Sequence, residues 1–273
     1  MSFTVQGPLL LAGAGKMGGA ILSGLLARGL DARSVIVQDP DPARPVADLL
    51  ADNGIDVLPF IDELTQPPGV ILIAVKPQVM DAVLPPLAKL AGPETLILSI
   101  AAGRRIATFE KHLPGAAIVR AMPNTPASIG RGMTVAVANS KVTPAQRALA
   151  DDLLSAVGEV MWVDDEALLD PVTAVSGSGP AYVFLLAECL AEAGRAAGLD
   201  AKLAERLARA TIAGSAALLE ASDLSAEQLR KNVTSPGGTT AAALEILGGD
   251  DGLQKLMTAA VAAATKRGRD LAK

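Results

Sequence analysis

The stretch best suited to chemistry is Thr234-Ser235-Pro236-Gly237-Gly238-Thr239-Thr240, which runs directly into the apolar segment Ala241-Ala242-Ala243-Leu244-Glu245-Ile246-Leu247. Pro236 stiffens the entry. Gly237 and Gly238 allow backbone angles closed to other residues and let a ligand approach the main chain. Thr239 and Thr240 fall at the cap or first turn of the helix that follows, where unpaired N–H groups point outward. Such a helix start binds a small anion, a carboxylate for example, without Lys or Arg, and the hydroxyls add donors that can be oriented. Taken alone, the string is also an ordinary capped helix start.

A second pattern stands near the other end of the chain. Gly13-Ala14-Gly15-Lys16-Met17-Gly18 follows the apolar run Pro8 to Ala12 and precedes the helical spacing of Ile21, Leu22, Leu25 and Leu26, which ends at Gly29. Strand, G-x-G-x-x-G turn and helix in that order predict a dinucleotide site, the glycines permitting the tight turn, the approach of a pyrophosphate and close helix–strand packing. A second strand, Ser34 to Gln38, ends at Asp39, where a ribose-binding acid is expected. An acid there accepts hydrogen bonds from a free ribose 2′-hydroxyl and repels a 2′-phosphate, whereas Arg33 and Arg44 are close enough in sequence to offset that repulsion. Asp39 is equally a turn residue before Pro40.

These two patterns need elements to hold them. The apolar runs Gly69 to Val75, Leu96 to Ile100 and Ala117 to Arg120 read as parallel strands buried on both faces. They end in Lys76-Pro77, Ala101-Ala102-Gly103 and Met122-Pro123-Asn124-Thr125-Pro126, at the sheet edge where open α/β folds bind ligands. Met133 to Ala138 and Glu159 to Val163 read as closing strands, with a helix from Pro144 to Val157 between them. From Asp164 strand signals disappear. Asp165 to Gly198 reads as one helical stretch interrupted at Ser176 to Pro180, followed by helices over Asp200 to Ala221, Ser225 to Asn232 and Asp251 to Leu271. The predicted fold class is an α/β N-terminal Rossmann domain, residues 1–163, and an all-α C-terminal domain, residues 164–273.

Composition narrows the function. Half of the 273 residues are hydrophobic, aromatics are 2% and the formal charge is −5. A nucleic-acid groove is therefore not expected. With one cysteine, Cys189, and one histidine, His112, neither an internal disulfide nor a Cys/His metal cluster is possible. His112 reads as a surface residue in a loop. Met1 to Gln6 carry no basic region before Leu9-Leu10-Leu11, so no signal peptide is expected, and the apolar runs read as too interrupted to span a bilayer. The expectation is a cytoplasmic protein without membrane or nucleic-acid partners. Val183, Leu186, Leu190, Leu207, Ile212 and Leu218 leave the C-terminal helices apolar on more than one side, which predicts a subunit interface.

A dinucleotide and an anion site together suggest hydride transfer. A C=N acceptor fits better than a carbonyl, because a protonated imine carries its own activating charge and no Lys or His acid is evident. At this point the sequence resembles the pyrroline-5-carboxylate reductase family. The resemblance is carried by Arg120 to Pro126, Ala174-Val175-Ser176-Gly177-Ser178-Gly179-Pro180-Ala181-Tyr182, Ser235 to Thr240, Gly13 to Met17, Ala74 to Pro77 and Ser99 to Gly103, and runs from about Leu9 to Arg267.

What the resemblance implies is a Rossmann domain and a helical domain that interlocks into a homodimer, in many members part of a decamer. The implied reaction is reduction of Δ1-pyrroline-5-carboxylate to L-proline with NADPH, NADH being the alternative. By the same resemblance the substrate carboxylate lies on the amides of Gly238, Thr239 and Thr240. The Thr240 hydroxyl orients the ring nitrogen, while Ser235, Asn232 and Glu166 belong to the same pocket. The implied cofactor contacts are Gly13, Ala14, Gly15, Lys16, Met17, Gly18, Asp39, Val75, Lys76, Ala101, Asn124 and Thr125, with no metal. The chain departs from the family at Gln38-Asp39-Pro40, where many members carry small polar residues suited to a 2′-phosphate, and at Pro59 to Glu63, which lacks a cofactor-facing Asn. A β-hydroxyacid dehydrogenase would want a Lys in the helix from Val172 to Gly194, which has none. A nucleotide sensor would need no second anion site.

Overall fold

Four-residue runs of branched apolar side chains make the centre of the fold. Leu9–Ala12 (β1), Val70–Ile73 (β4) and Leu96–Ser99 (β5) are buried along their whole length, as strands covered on both faces must be. The structure, a computed structural model, describes residues 6–271. The reading of Met1 to Gln6 as leaderless therefore falls, up to residue 5, outside the described residues.

With Val35–Gln38 (β2), Val57–Leu58 (β3), Ala117–Met122 (β6), Gly132–Ala138 (β7) and Gly158–Trp162 (β8), these strands form one sheet in the order β3-β2-β1-β4-β5-β6-β7-β8. Pairing is parallel from β3 through β6. The β6–β7 pair is antiparallel, and β8 returns parallel to β7. Leu9 and Leu11 join a core with α1 (Lys16–Ala27), α2 (Arg44–Asp52) and α5 (Pro144–Leu154). Leu10 and Ala12 face the opposite core, with α3 (Met80–Leu90), α4 (Ile106–His112) and α6 (Leu169–Val172). Strand alternation thus writes a doubly wound sheet, and the connections place the loops after β1, β2, β4, β5 and β6 along one edge.

His112 is the last residue of α4 and partly buried, not a loop residue, because the turn beginning at Ile106 continues through Phe109 into the core.

By internal packing the chain divides into two units, one running to Gly177 and taking in the chain end from Thr265, the other Ser178–Ala264. In the first, α6 leads into a π-helical turn over Thr173–Gly177. The interruption expected around Pro180 therefore comes earlier, and Pro180 sits in the first turn of α7 (Gly179–Ala196), where a missing N–H is no loss.

In the second unit α7 packs on α8 (Ala201–Ala221) through the buried alanines Ala191, Ala204 and Ala208, and α9 (Ala226–Asn232), α10 (Thr239–Leu247) and α11 (Leu253–Leu271) follow. A Cβ on Gly194 would stand 3.3 Å from that of Ala204, so small residues set the helix spacing. Val183, Phe184, Leu186, Leu190, Leu207 and Leu218 are each 42–62% exposed. One sequence expectation is corrected here. The 31-residue helical stretch Glu166–Ala196 is long and apolar enough to cross a membrane, because the π turn carries the helix past the residues taken as a break.

Candidate dinucleotide and anion sites

The glycines of the first turn do three different things. Gly13 has φ +97°, and a Cβ there would lie 2.8 Å from the Ala74 carbonyl carbon. A Cβ on Gly18 would collide with the Gly13 carbonyl oxygen. Gly15, the N-cap of α1, would meet nothing within 4 Å. The first and third are required by the chain itself, while the second opens a cradle that a side chain would fill. No side chain caps α1 and no acid lies in its first turn, so the amides there are available to an anion. Lys16 is exposed beside them. This geometry fits a pyrophosphate.

Gly18→Ala is accordingly expected to cost about 1–3 kcal/mol of stability, read from the denaturant midpoint. Gly15→Ala is expected to stay within about 0.5 kcal/mol while weakening dinucleotide binding in titration calorimetry.

Asp39 follows β2 directly. Its Oδ2 accepts from Ala14 N at 2.6 Å and its Oδ1 from Asp41 N at 2.8 Å. Gly13 N donates to Gln38 O at 2.8 Å, which ties the turn to the end of β2. Val75 and Lys76 lie just beyond β4, and Lys76 is exposed. Ala101, beyond β5, is buried, and its N–H bonds Ser99 Oγ at 3.3 Å. Arg104 donates to Pro77 O at 2.7 Å and so links these two loops.

Asn124 and Thr125 follow β6. The Asn124 side chain accepts from Met133 N at 2.9 Å and donates to Ser176 Oγ at 3.2 Å, anchoring the loop to β7 and to the π turn, while Thr125 is exposed. All the residues expected to contact the cofactor therefore share one edge of the sheet, around the point where strand order reverses between β1 and β4.

Glu166 has a role that its spacing did not reveal. Its Oε1 accepts from Ile106 N at 2.8 Å, at the first residue of α4, and from Arg120 Nη1 at 2.9 Å. The Arg120 side chain is 5% exposed and that of Glu166 23%. Arg120 was missed as a functional residue, and the only signal for it was a charge closing the apolar run Ala117 to Val119.

In the second unit, Gly237 has φ +69° and Gly238 caps α10 without a side-chain bond and without an acid in the first turn. The Gly238 N–H already donates to Ser235 O at 3.0 Å, and the first intrahelical bond runs from Ala242 N to Gly238 O at 3.2 Å. This corrects the expected trio of amides. Gly238 completes the turn, and the outward donors are those of Thr239 and Thr240. A Cβ on Gly238 would press on Ser235 O at 3.1 Å. Thr240 is partly buried, Thr239 and Ser235 are exposed, and Asn232, at the end of α9, accepts from Gln228 Nε2 at 2.8 Å. Among the described residues no group of three or more His, Cys, Asp or Glu side chains is placed to hold a metal ion.

A family model described as pyrroline-5-carboxylate reductase dimerisation matches residues 166–271. Another, described as NADP oxidoreductase coenzyme F420-dependent, matches residues 9–103. The chain is 42% identical over 261 residues to a pyrroline-5-carboxylate reductase of Pseudomonas aeruginosa, with 95% of each chain covered. Among solved structures it is similar to a pyrroline-5-carboxylate reductase from Coxiella burnetii, at TM-score 0.89 and 35% identity over 98% of this chain and 99% of that one. It is also similar to the pyrroline carboxylate reductase of Plasmodium falciparum with NADP bound, at TM-score 0.84 and 28% identity over 99% and 100% of the two chains.

Proposed function

The chain belongs to the pyrroline-5-carboxylate reductase family, and on that premise we propose how its residues divide the work of reducing Δ1-pyrroline-5-carboxylate to L-proline with NAD(P)H, the last step of proline biosynthesis. When bound, the cofactor supplies the hydride. The observation that carries the division of labour is a pair of helix starts, at Gly15 and Gly238, both without a side-chain cap or a first-turn acid. The first receives the pyrophosphate, with Gly13 and Gly18 shaping the turn, Ala14 bonded to Asp39, and the Lys16 and Met17 amides facing the anion. Val75, Lys76, Ala101, Asn124 and Thr125 line the strand ends on the nicotinamide side.

The second helix start receives the substrate carboxylate on the amides of Thr239 and Thr240, with Ser235 and Asn232 beside it. The Thr240 hydroxyl orients the ring nitrogen and relays its proton. No stronger acid is needed, because the protonated imine already carries the charge that draws the hydride. Both bonds of Glu166 fall on Oε1, which leaves Oε2 as the atom for any contact with substrate. The test is loss of reduced-nicotinamide absorbance with pyrroline-5-carboxylate. Rapid turnover supports the assignment, and no turnover by folded, dinucleotide-binding protein would overturn it.

The helical region oligomerises, as its dimerisation-family match implies. We place the homodimer contact on the exposed Val183, Phe184, Leu186 and Leu190, with a decamer as the larger assembly, in the cytoplasm and with no membrane or nucleic-acid partner. The stretch long enough to cross a membrane is then covered by protein instead. Light scattering is expected to give at least twice the chain mass, and Phe184→Asp with Leu186→Asp to reduce it. A monomeric wild-type chain would remove this contact.

A further inference from the structure

We infer that Asp39 sets the cofactor preference of this chain and selects the dinucleotide whose adenosine ribose carries a free 2′-hydroxyl, so that NADH binds more tightly than NADPH. The inference rests on the dinucleotide reading of the glycine turn. Asp39 is held in place from three directions. Its backbone N–H donates to Leu58 O at 3.1 Å, which fixes it between the turn and β3. Its two carboxylate oxygens accept separately from Ala14 N and Asp41 N, at 2.6 and 2.8 Å. A carboxylate has about four acceptor sites, so one on each oxygen remains for a ribose diol.

The same bonds stop the carboxylate from yielding to a 2′-phosphate. Turning it aside would strip the Ala14 amide, inside the turn that holds the pyrophosphate, of its acceptor. The phosphate would instead meet a fixed negative charge, with Asp41 two residues on. Of the two cations that sequence alone offered as compensation, Arg33 is committed elsewhere. It lies before β2, at the far end of that strand from Asp39, and its guanidinium is paired with Asp31 at 2.7 Å. Arg44, exposed at the first residue of α2, is the one left in reach. A single mobile surface cation does not cancel a fixed carboxylate beside a doubly charged group.

The test is titration calorimetry of NADH and of NADPH into the full-length protein without substrate, for the wild type, Asp39→Asn, Asp39→Ser and Arg44→Ala, each first checked by its thermal midpoint. The wild type is expected to bind NADH about 10- to 100-fold more tightly. Asp39→Asn and Asp39→Ser should narrow or invert that ratio, mainly through a gain in NADPH affinity. Arg44→Ala should weaken NADPH and leave NADH unchanged. NADPH binding to the wild type as tightly as NADH, or an unchanged ratio in both folded Asp39 variants, would overturn the inference and leave the dinucleotide site standing. Binding of neither dinucleotide would overturn both.

Discussion

Thr240→Ala is expected to lower kcat/KM for pyrroline-5-carboxylate by about 10- to 1000-fold, the range for loss of one orienting or charge-stabilising hydrogen bond, with no change in the thermal midpoint. The local structure explains why the effect should be confined to catalysis. Thr240 is the second residue of α10, after an N-cap that makes no side-chain bond, so its hydroxyl is not needed to start the helix. It is partly buried where Thr239 is exposed, which makes it the better fixed of the two. Thr239→Ala removes a hydroxyl from the same helix start and should cost much less. The division between kcat and KM locates the role. A hydroxyl that orients the ring nitrogen in the transition state lowers kcat, whereas one that only helps hold the carboxylate raises KM. Thr240→Ser should retain most of the activity and Thr240→Val, which keeps the shape, should not. Wild-type kinetics in both the Ala and Val variants would remove Thr240 from the mechanism.

Much of this was legible in the sequence, and the reasons are physical. A parallel strand covered on both faces leaves a continuous apolar run, so β1, β4, β5 and β6 could be read directly. The two-residue β3 leaves no such run. The helix α3 carries Pro85 and Pro86 in its interior, where a sequence reading expects none. Pro180 was read as the break in the long helix, but the backbone adjusts through the π turn before it, and nothing in Thr173 to Gly177 announces that turn. The glycine turn was legible as a motif. Only the coordinates separate Gly15, which faces open space, from Gly13 and Gly18, which the chain needs for itself. Side chains whose work depends on a distant partner were the least legible. The Asn124 bond to Ser176 spans 52 residues and the Glu166 bond to Arg120 spans 46.

That last pair supports the other large prediction. Glu166→Ala is expected to destabilise the fold by about 3–5 kcal/mol, because it leaves a buried guanidinium without its counter-charge. The same change takes the acceptor from Ile106 N at the start of α4, which has no other side-chain cap. The direction of burial makes the two single variants unequal. Arg120 is the more enclosed partner, so an unpaired Arg120 costs more than an unpaired Glu166, which reaches water. Arg120→Met should therefore cost less than Glu166→Ala, and Arg120→Met combined with Glu166→Gln should recover much of the loss, the Gln oxygen still accepting from Ile106 N. Chemical denaturation of the four proteins measures this cycle. The kinetics then separate two roles of one side chain. A purely structural Glu166 leaves KM for pyrroline-5-carboxylate unchanged in the folded fraction of Glu166→Gln. A Glu166 that also meets the substrate through Oε2 raises KM in that same variant, at a temperature where it is fully folded. A Glu166→Ala protein as stable as the wild type would refute the structural role outright, since no other acceptor stands within reach of both Arg120 Nη1 and Ile106 N among the bonds described.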